Sequence, residues 1–372
     1  MGLFCWANRF SRQGRPLNSV ASARFAAASL GAFMVWVCCP VASLGGQSPA
    51  QTPVAPAQFR EVVDETGRTV RVPQPVLRIV SLAPSLTETV YALGLQDRLA
   101  GDTDFCDYPP DAQKKPKVGG GLNPSLEEIA ALHPDLVLAT KAFNRLDTVL
   151  ALQTLHIPAY ATDPHTVDQI VSSTRRLADI LDVPEAGALL AADLERRLAE
   201  LQQRLANSSP RRVLFVVWDE PLISIGKDTF IADALRHAGA TSIVDSTQGW
   251  PQMSLEEVVR QQPDFLVFAA SHSPTGTVDL EALAARPGWR GLEAVRNRRF
   301  AVISEAVNRP APRIVSAIED LARQLHPAAF QDSPVPETPA APAPVPSNPP
   351  PAAPAQMTFN AQPFAMEFAC AR

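Results

Sequence analysis

The chain writes one short passage twice. Ser125-Leu126-Glu127-Glu128-Ile129 leads to Pro134-Asp135-Leu136-Val137-Leu138-Ala139, and Ser254-Leu255-Glu256-Glu257-Val258 leads to Pro263-Asp264-Phe265-Leu266-Val267-Phe268-Ala269. The interval from Ser to Pro-Asp is the same in both copies, and the copies stand about one small α/β lobe apart. Each passage predicts a capped helix, a stop and a buried strand. The doubling narrows the fold to two similar lobes that present matching surfaces, and 372 residues leave room for two such cores.

The rest of the chain keeps this rhythm. Phe59 to Val72 alternates apolar and polar residues around Thr66-Gly67, the pattern of a β-hairpin. Leu77 to Leu82 reads as a short buried strand. Ser85 reads as the N-cap of the next helix, with Glu88 three residues on and Gly94 at its end. Strand-like and helix-like segments then alternate, which argues for a mainly parallel sheet. Between Pro184 and Ala206 the leucines 190, 194, 198, 201 and 205 fall on one helical face. No glycine follows Gly187 before the Pro210 stop, and at about 1.5 Å per residue the helix spans roughly 30 Å. A second lobe opens on the buried strand Arg212 to Val217. It continues through a helix ending at Gly239, a strand around Ser242-Ile243-Val244, the second passage, a strand over Phe300 to Ile303 and a helix from about Ile314 to Leu325.

The expected organisation is a signal segment over 1–45, a linker and hairpin over 46–76, an N-terminal lobe over 77–182, a spine helix over 183–208, a C-terminal lobe over 209–326 and a tail over 327–372. The fold class is α/β: two lobes, each a mainly parallel sheet flanked by helices, joined by one long rigid helix.

The ends of the chain carry its compositional extremes. Arg9, Arg12, Arg15 and Arg24 precede the apolar run Phe25 to Val37 and the small residues up to Gly46, the order of a secretory signal. A membrane anchor is the alternative, but the apolar run is shorter than the roughly 20 residues a span needs. Cys38 or Cys39 would supply a lipid-anchored N-terminus, although Val35-Trp36-Val37 is a poor lipoprotein signal. Cleavage near residue 45 would leave Cys106 and Cys370, too few for a disulfide framework. Pro and Ala dominate beyond Pro327, so the tail is expected to be disordered or extended, with Phe359, Phe364 and Phe368 near its end. The net charge of −5 offers no electrostatic reason to expect a nucleic-acid partner.

Within the doubled passage, Ser-x-x-Glu is a capping box: Ser125 caps the N3 amide while Glu128 reaches back, and Ser254 with Glu257 repeats this. Capping leaves Glu127 and Glu256 over. The helix dipole favours an acid at N2 by roughly 0.3–1 kcal/mol, so these two could be structural. As two equivalent anionic knobs, they also suit a pseudo-twofold partner with basic sockets, because Arg–carboxylate pairs set register and orientation.

Several motifs taken together resemble a known family. Ser81-Leu82-Ala83-Pro84-Ser85-Leu86-Thr87-Glu88, Cys106-Asp107-Tyr108-Pro109-Pro110, Val118-Gly119-Gly120 with Asn123-Pro124-Ser125-Leu126-Glu127, and Gly249-Trp250-Pro251-Gln252 follow in the order found in the helical-backbone class of ABC-transporter solute-binding proteins. Over about residues 77–326 the likeness is to its cobalamin binders. The resemblance implies a periplasmic, non-enzymatic monomer that holds cobalamin or a related corrinoid between its lobes, as cargo rather than cofactor, and delivers it to a dimeric ABC importer permease. It implies that Glu127 and Glu256 dock into arginine pockets of that permease. Matching cleft positions are Ala83, Pro84, Phe105, Trp250 and the loop from Glu305 to Arg309; Trp218, after the first strand of the second lobe, is expected nearby. Aromatic walls with a few polar donors suit a flat, amide-fringed ring.

One position departs from the cobalamin binders, which carry a tryptophan just upstream of the first passage where this chain has Gly119-Gly120-Gly121. An aromatic wall is therefore expected to be missing. Ferric siderophores and haem are bound by relatives with the same lobes and form the alternative. Siderophore pockets often use several Arg or Tyr, and this chain has only Tyr91, Tyr108 and Tyr160. Haem needs an axial His or Tyr, and His165 and His272 lie in loops. Cys106 reads as a free thiol near the cleft entrance, more in keeping with structure than with a metal. A hydrolase is disfavoured: the histidines 133, 156, 165, 237, 272 and 326 lack metal-ligand spacing, and no G-x-S-x-G, G-x-G-x-x-G or P-loop occurs.

Overall fold

Two four-stranded parallel sheets carry the chain. In the computed structural model the described residues are 58–244, 246–270 and 280–331. The expected signal segment, the linker up to residue 57, His272, Cys370 and the tail beyond residue 331 lie outside them.

The chain enters through the hairpin of β1 (Gln58–Val63) and β2 (Thr69–Gln74), paired antiparallel. The N-terminal lobe follows with β3 (Ile79–Ser81), α1 (Pro84–Ala92), β4 (Leu99–Asp102), α2 (Leu126–Ala131), β5 (Leu136–Thr140), α3 (Leu146–Thr154), β6 (Ala159–Thr162) and α4 (Val167–Ile180). Helix α5 (Pro184–Leu205) comes next. The C-terminal lobe holds β7 (Arg211–Val216), the two-strand ribbon of β8 (Trp218–Asp219) and β9 (Leu222–Ile223), α6 (Phe230–His237), β10 (Ala240–Ser242), α7 (Leu255–Gln261), β11 (Phe265–Ala269), α8 (Leu280–Ala285), α9 (Glu293–Arg296), β12 (Phe300–Ile303) and α10 (Ile314–Leu325). The sheet orders are β4-β3-β5-β6 and β10-β7-β11-β12, all parallel. Counted from each lobe's first strand, the two orders are the same. No described helix is long and apolar enough to cross a membrane.

Parallel strands covered on both faces must be apolar throughout, and β3, β5 and β6 are buried at every residue. Helix α5 has 22 residues, opens on Pro184 and buries Gly187, Ala191, Leu194, Leu198, Leu201 and Leu205. At about 1.5 Å per residue it is roughly 33 Å long. Its leucines join one core with Val167, Ile170 and Val171 of α4 and with α6 and α10 of the C-terminal lobe. The far end of α4, Leu177 to Ile180, belongs to the N-terminal core. Two packed helices, α4 and α5, therefore bridge the cores, where the leucine pattern pointed to one.

Two expectations at the edges need correction. Helix α1 is not capped by Ser85: Ala83 holds the N-cap position without a side-chain bond and Pro84 starts the helix, which leaves Glu88 for another task. The chain past Pro327 does not turn at once into tail. Pro327–Phe330 make a 3-10 turn, and Ala329 and Phe330 pack on the core formed by α5 and α10, with Arg204 and Arg323 over the Phe330 ring.

Candidate functional site: the inter-lobe cleft and the outer helix starts

In open α/β sheets ligands lie beyond the carboxyl ends of the strands, where strand order reverses. In the N-terminal lobe that place is between β3 and β5. A cleft of about 630 Å³ opens there, lined by Ala83, Pro84 and Ser85 after β3 and by Thr140, Ala142 and Phe143 at the end of β5. The C-terminal lobe contributes Phe230, which starts α6, Trp250, and the segment Glu305, Asn308, Arg309 and Pro310 after β12. Phe105, Gly120, Leu122 and Asn123 complete the lining.

An aromatic pair lines the cleft beside the glycine stretch, and Gly121 makes room for it. A Cβ on Gly121 would come within 2.0 Å of Phe143 Cε1 and 2.9 Å of Leu82 O, so Gly121 is the room in which Phe143 stands. Phe143 meets Phe105 edge to face, with ring centroids 6.4 Å apart. Asn144, buried behind them, donates to Leu82 O and Gly121 O at 2.9 Å each and accepts from the Thr140 amide at 2.8 Å. One side chain thus ties three cleft loops together. Phe143, from the loop after β5, thus supplies aromatic surface beside the glycine stretch.

Cys106 is sealed from the cleft. Its sulfur is bonded at 3.2 Å to the hydroxyls of Thr87 and Thr103, and burial pushes the thiol up from its ordinary range. It anchors a loop that shows Phe105 and Asp107 to solvent on either side. Asp107 accepts from Arg309 Nη1 at 2.7 Å. The same Nη1 reaches Glu88 Oε1 at 2.8 Å, and Arg313 meets both Glu88 oxygens at 2.9 and 2.7 Å. Glu88, almost wholly buried, thus links α1 of one lobe to two arginines of the other. The Arg313 guanidinium also lies 3.8 Å over the Tyr108 ring. Burial opposes the Arg309 charge, but the hydrogen bonds it donates to Asp107 and Glu88 outweigh it and raise its pKa; Arg309 in turn lowers that of Asp107 against its own desolvation.

The doubled passage forms the same structure in both lobes. Ser125 accepts from the Glu128 amide at 3.2 Å and Ser254 from the Glu257 amide at 3.1 Å. The return half of each capping box is not made. The Ser125 amide instead donates to Val118 O, and Glu257 turns to Arg260 and Gln261. Glu127 and Glu256 occupy N2 and are exposed. His133 and Gln262 then take left-handed backbone at φ 45° and 46° to end their helices.

A family model described as periplasmic binding protein matches residues 79–307. The chain belongs to the periplasmic binding protein family. It is 31% identical to the vitamin B12-binding protein of Vibrio cholerae over 265 residues, which is 70% of this chain and 92% of that one. The crystal structure of the periplasmic vitamin B12-binding protein of that organism superposes with a TM-score of 0.61 at 29% identity, covering 69% of this chain and 99% of that one. A periplasmic haem-binding protein from Roseiflexus sp. RS-1 gives 0.62 at 26% identity, covering 68% and 99%.

Of the residues singled out from sequence, this periplasmic binding protein brings Ala83, Pro84, Phe105, Trp250, Glu305 and Arg309 to one cleft. Trp218 is not among them. It sits in the β8–β9 ribbon, opposite Ile223, with its indole N–H donated to Glu220 O at 2.7 Å. The two-residue strand turns back after β7, so the residue following the first strand leaves the cleft instead of lining it. His165 faces Asp163 at 3.2 Å and also stands outside the lining.

Proposed function

We propose that this protein is a non-enzymatic periplasmic carrier that captures cobalamin or a related corrinoid between its lobes and hands it to a dimeric ABC importer permease. It acts as a monomer, is exported by its N-terminal segment and carries the metal chelate as cargo. The observation that carries the reading is the chemistry of the cleft. Phe105, Phe143, Phe230 and Trp250 offer apolar and aromatic surface for a large flat ring, and Asn123, Thr140 and Asn308 offer neutral hydrogen-bonding groups for amides. The relatives named for vitamin B12 support the same cargo.

The alternative cargoes fit less well. A haem seeks an axial donor, and no His, Tyr, Cys or Met is among the described lining residues. Tyr160 is buried in β6, Tyr91 packs on the N-terminal core and Tyr108 lies under Arg313. An anionic ferric chelate seeks free cations, and the lining arginine, Arg309, is already held by Glu88 and Asp107. Glu127 and Glu256 serve as the docking acids. Both stand exposed at equivalent N2 positions, and the Glu256 side chain makes no hydrogen bond or ion pair among the described residues.

A visible-absorbance titration of the tag-free protein with cyanocobalamin, haemin and a ferric siderophore tests the cargo. Saturable cyanocobalamin binding below about 10 μM is expected, since capture from dilute solution needs about −7 kcal/mol. Its absence, with tight binding of either iron compound, would overturn the corrinoid reading.

A further inference from the structure

The cleft sits beside two arginines, and yet among its described lining residues no positive charge stands free. Arg309 lines it, and Arg313 starts the helix behind. Three carboxylates face this pair. Glu88 Oε1 is 2.8 Å from Arg309 Nη1 and 2.7 Å from Arg313 Nη2, its Oε2 is 2.9 Å from Arg313 Nε, Asp107 Oδ1 is 2.7 Å from Arg309 Nη1, and Glu305 Oε2 is 3.4 Å from Arg309 Nη2. The Tyr108 ring covers the flat face of Arg313. Glu88 makes its contacts from the opposite lobe and is only 4% exposed, so its charge is fixed in place by packing. Simple bracing of the lobes would need only one of these pairs. Here even the Nη1 that reaches buried Glu88 is taken a second time by a surface acid, Asp107.

We infer that Glu88 and Asp107 are specificity-determining residues which cancel the charge of Arg309 and Arg313, so that the cleft accepts a neutral chelate and turns away anionic ones of similar size. The inference deepens the proposed cargo reading and rests on it for the identity of the neutral ligand. Neither acid touches the ligand. They act through Arg309, whose donors would otherwise point free charge at a carboxylate or catecholate, the kind of group a guanidinium binds most strongly. A corrinoid fringed with amides gains nothing from such a charge and loses little by its absence.

The test compares wild type, Asp107→Asn and Glu88→Gln by titration with cyanocobalamin and with a trianionic ferric tris-catecholate, at low and at high salt. Asp107 is half exposed, so its variant keeps the fold even if the buried Glu88→Gln does not; thermal melts report which variants are native. Released charge should raise catecholate affinity by about tenfold relative to cyanocobalamin in Asp107→Asn, and more in Glu88→Gln. High salt should erase the gain. A purely bracing role would lower both affinities together, with no new salt dependence. An unchanged ratio, or tight catecholate binding by the wild type, would overturn the inference. The parent reading fails separately: if the wild type does not bind cyanocobalamin but Asp107→Asn still gains catecholate affinity, the charge cancellation stands and the corrinoid assignment falls.

Discussion

In the N-terminal lobe Leu132 caps the end of α2, and its carbonyl accepts from the Arg78 side chain at 2.6 Å; His133 then turns left-handed and Asp135 takes the Leu77 and Arg78 amides at 2.8 Å each. In the C-terminal lobe α7 ends at Gln261, whose carbonyl accepts from Arg212 at 2.9 Å; Gln262 turns left-handed and Asp264 takes the Arg212 amide at 2.8 Å. The two constructions match part by part, and each positions an exposed N2 glutamate. Where the lobes meet, the likeness ends. The N-terminal side presents Phe105 and Phe143 over glycines together with Glu88, while the C-terminal side presents Trp250, Phe230 and two arginines. A surface repeated in both lobes fits a partner with twofold symmetry. A cleft whose walls differ fits a ligand without it.

The largest effect should come from the shared surface. Glu127→Ala with Glu256→Ala should reduce permease-dependent uptake about a hundredfold or more, as expected when two interface ion pairs are truncated. The dissociation constant for the ligand should not move. If ligand affinity falls instead, the acids belong to the cleft and the division between outer face and inner wall is wrong.

Next in size is a test of the wall peculiar to the N-terminal lobe. Gly121→Ala drives a methyl into Phe143 and toward Leu82 O. Overpacking of this kind costs about 1–3 kcal/mol, measurable as a lower urea midpoint, and tilting Phe143 should weaken cyanocobalamin binding. A neutral outcome on both counts would mean that Phe143 does not need the space Gly121 leaves.

The sheet and the paired helix starts were legible because they rest on local, periodic rules: apolar runs, capping serines, Pro-Asp stops. Trp250 and Arg309 were legible through ordered motifs. What stayed hidden depends on contacts between distant segments. Glu88 looked like half of a capping box, and only the approach of α10 shows that it balances arginines. Phe143 follows β5 at the sheet's switch point, a signal that strand order would have supplied had it been known. Trp218 misled because a strand end normally points to the cleft, and nothing in Trp218-Asp219-Glu220-Pro221 announces a ribbon by its spacing.

A pH dependence should also separate the lobes. Strand β4 pairs with residues 79–81 and continues to Asp102, whereas β10 pairs with residues 211–213 and ends at Ser242. Arg78 and Arg212 are equivalent, so Asp102 stands beside the cleft end of β3 at a position the shorter β10 does not reach. Burial pushes its carboxyl up to about 6 against the pull of Lys117, whose Nζ lies 2.7 Å away, and Asp102 Oδ2 has no hydrogen-bond partner. A carboxyl raised on folding makes the native state hold the extra proton. Its contribution to stability is therefore full below about pH 4 and is lost as the pH rises through 6. The full difference is about 3 kcal/mol, of which about 2 kcal/mol falls between pH 4 and pH 7. Measured by urea unfolding, Asp102→Asn should gain about that much relative to wild type between pH 4 and pH 7. Parallel curves for the two proteins would show that Asp102 titrates normally.

The smallest effect probes the likeness itself. Asp135 receives two backbone amides and Asp264 one from the equivalent segment. A hydrogen bond to a charged group contributes about 1.5–3 kcal/mol when enclosed, and less in these half-buried turns. Asp135→Ala should therefore cost about 1–2 kcal/mol and Asp264→Ala about 1 kcal/mol or less. Each change also frees the amide that fixes where its first strand begins, so each should loosen the helix start that carries Glu127 or Glu256. Uptake should then fall modestly in both variants while ligand affinity holds. If only one variant loses uptake, the permease reads that lobe alone, and the repetition of the passage reflects the common fold of the lobes rather than a shared docking task.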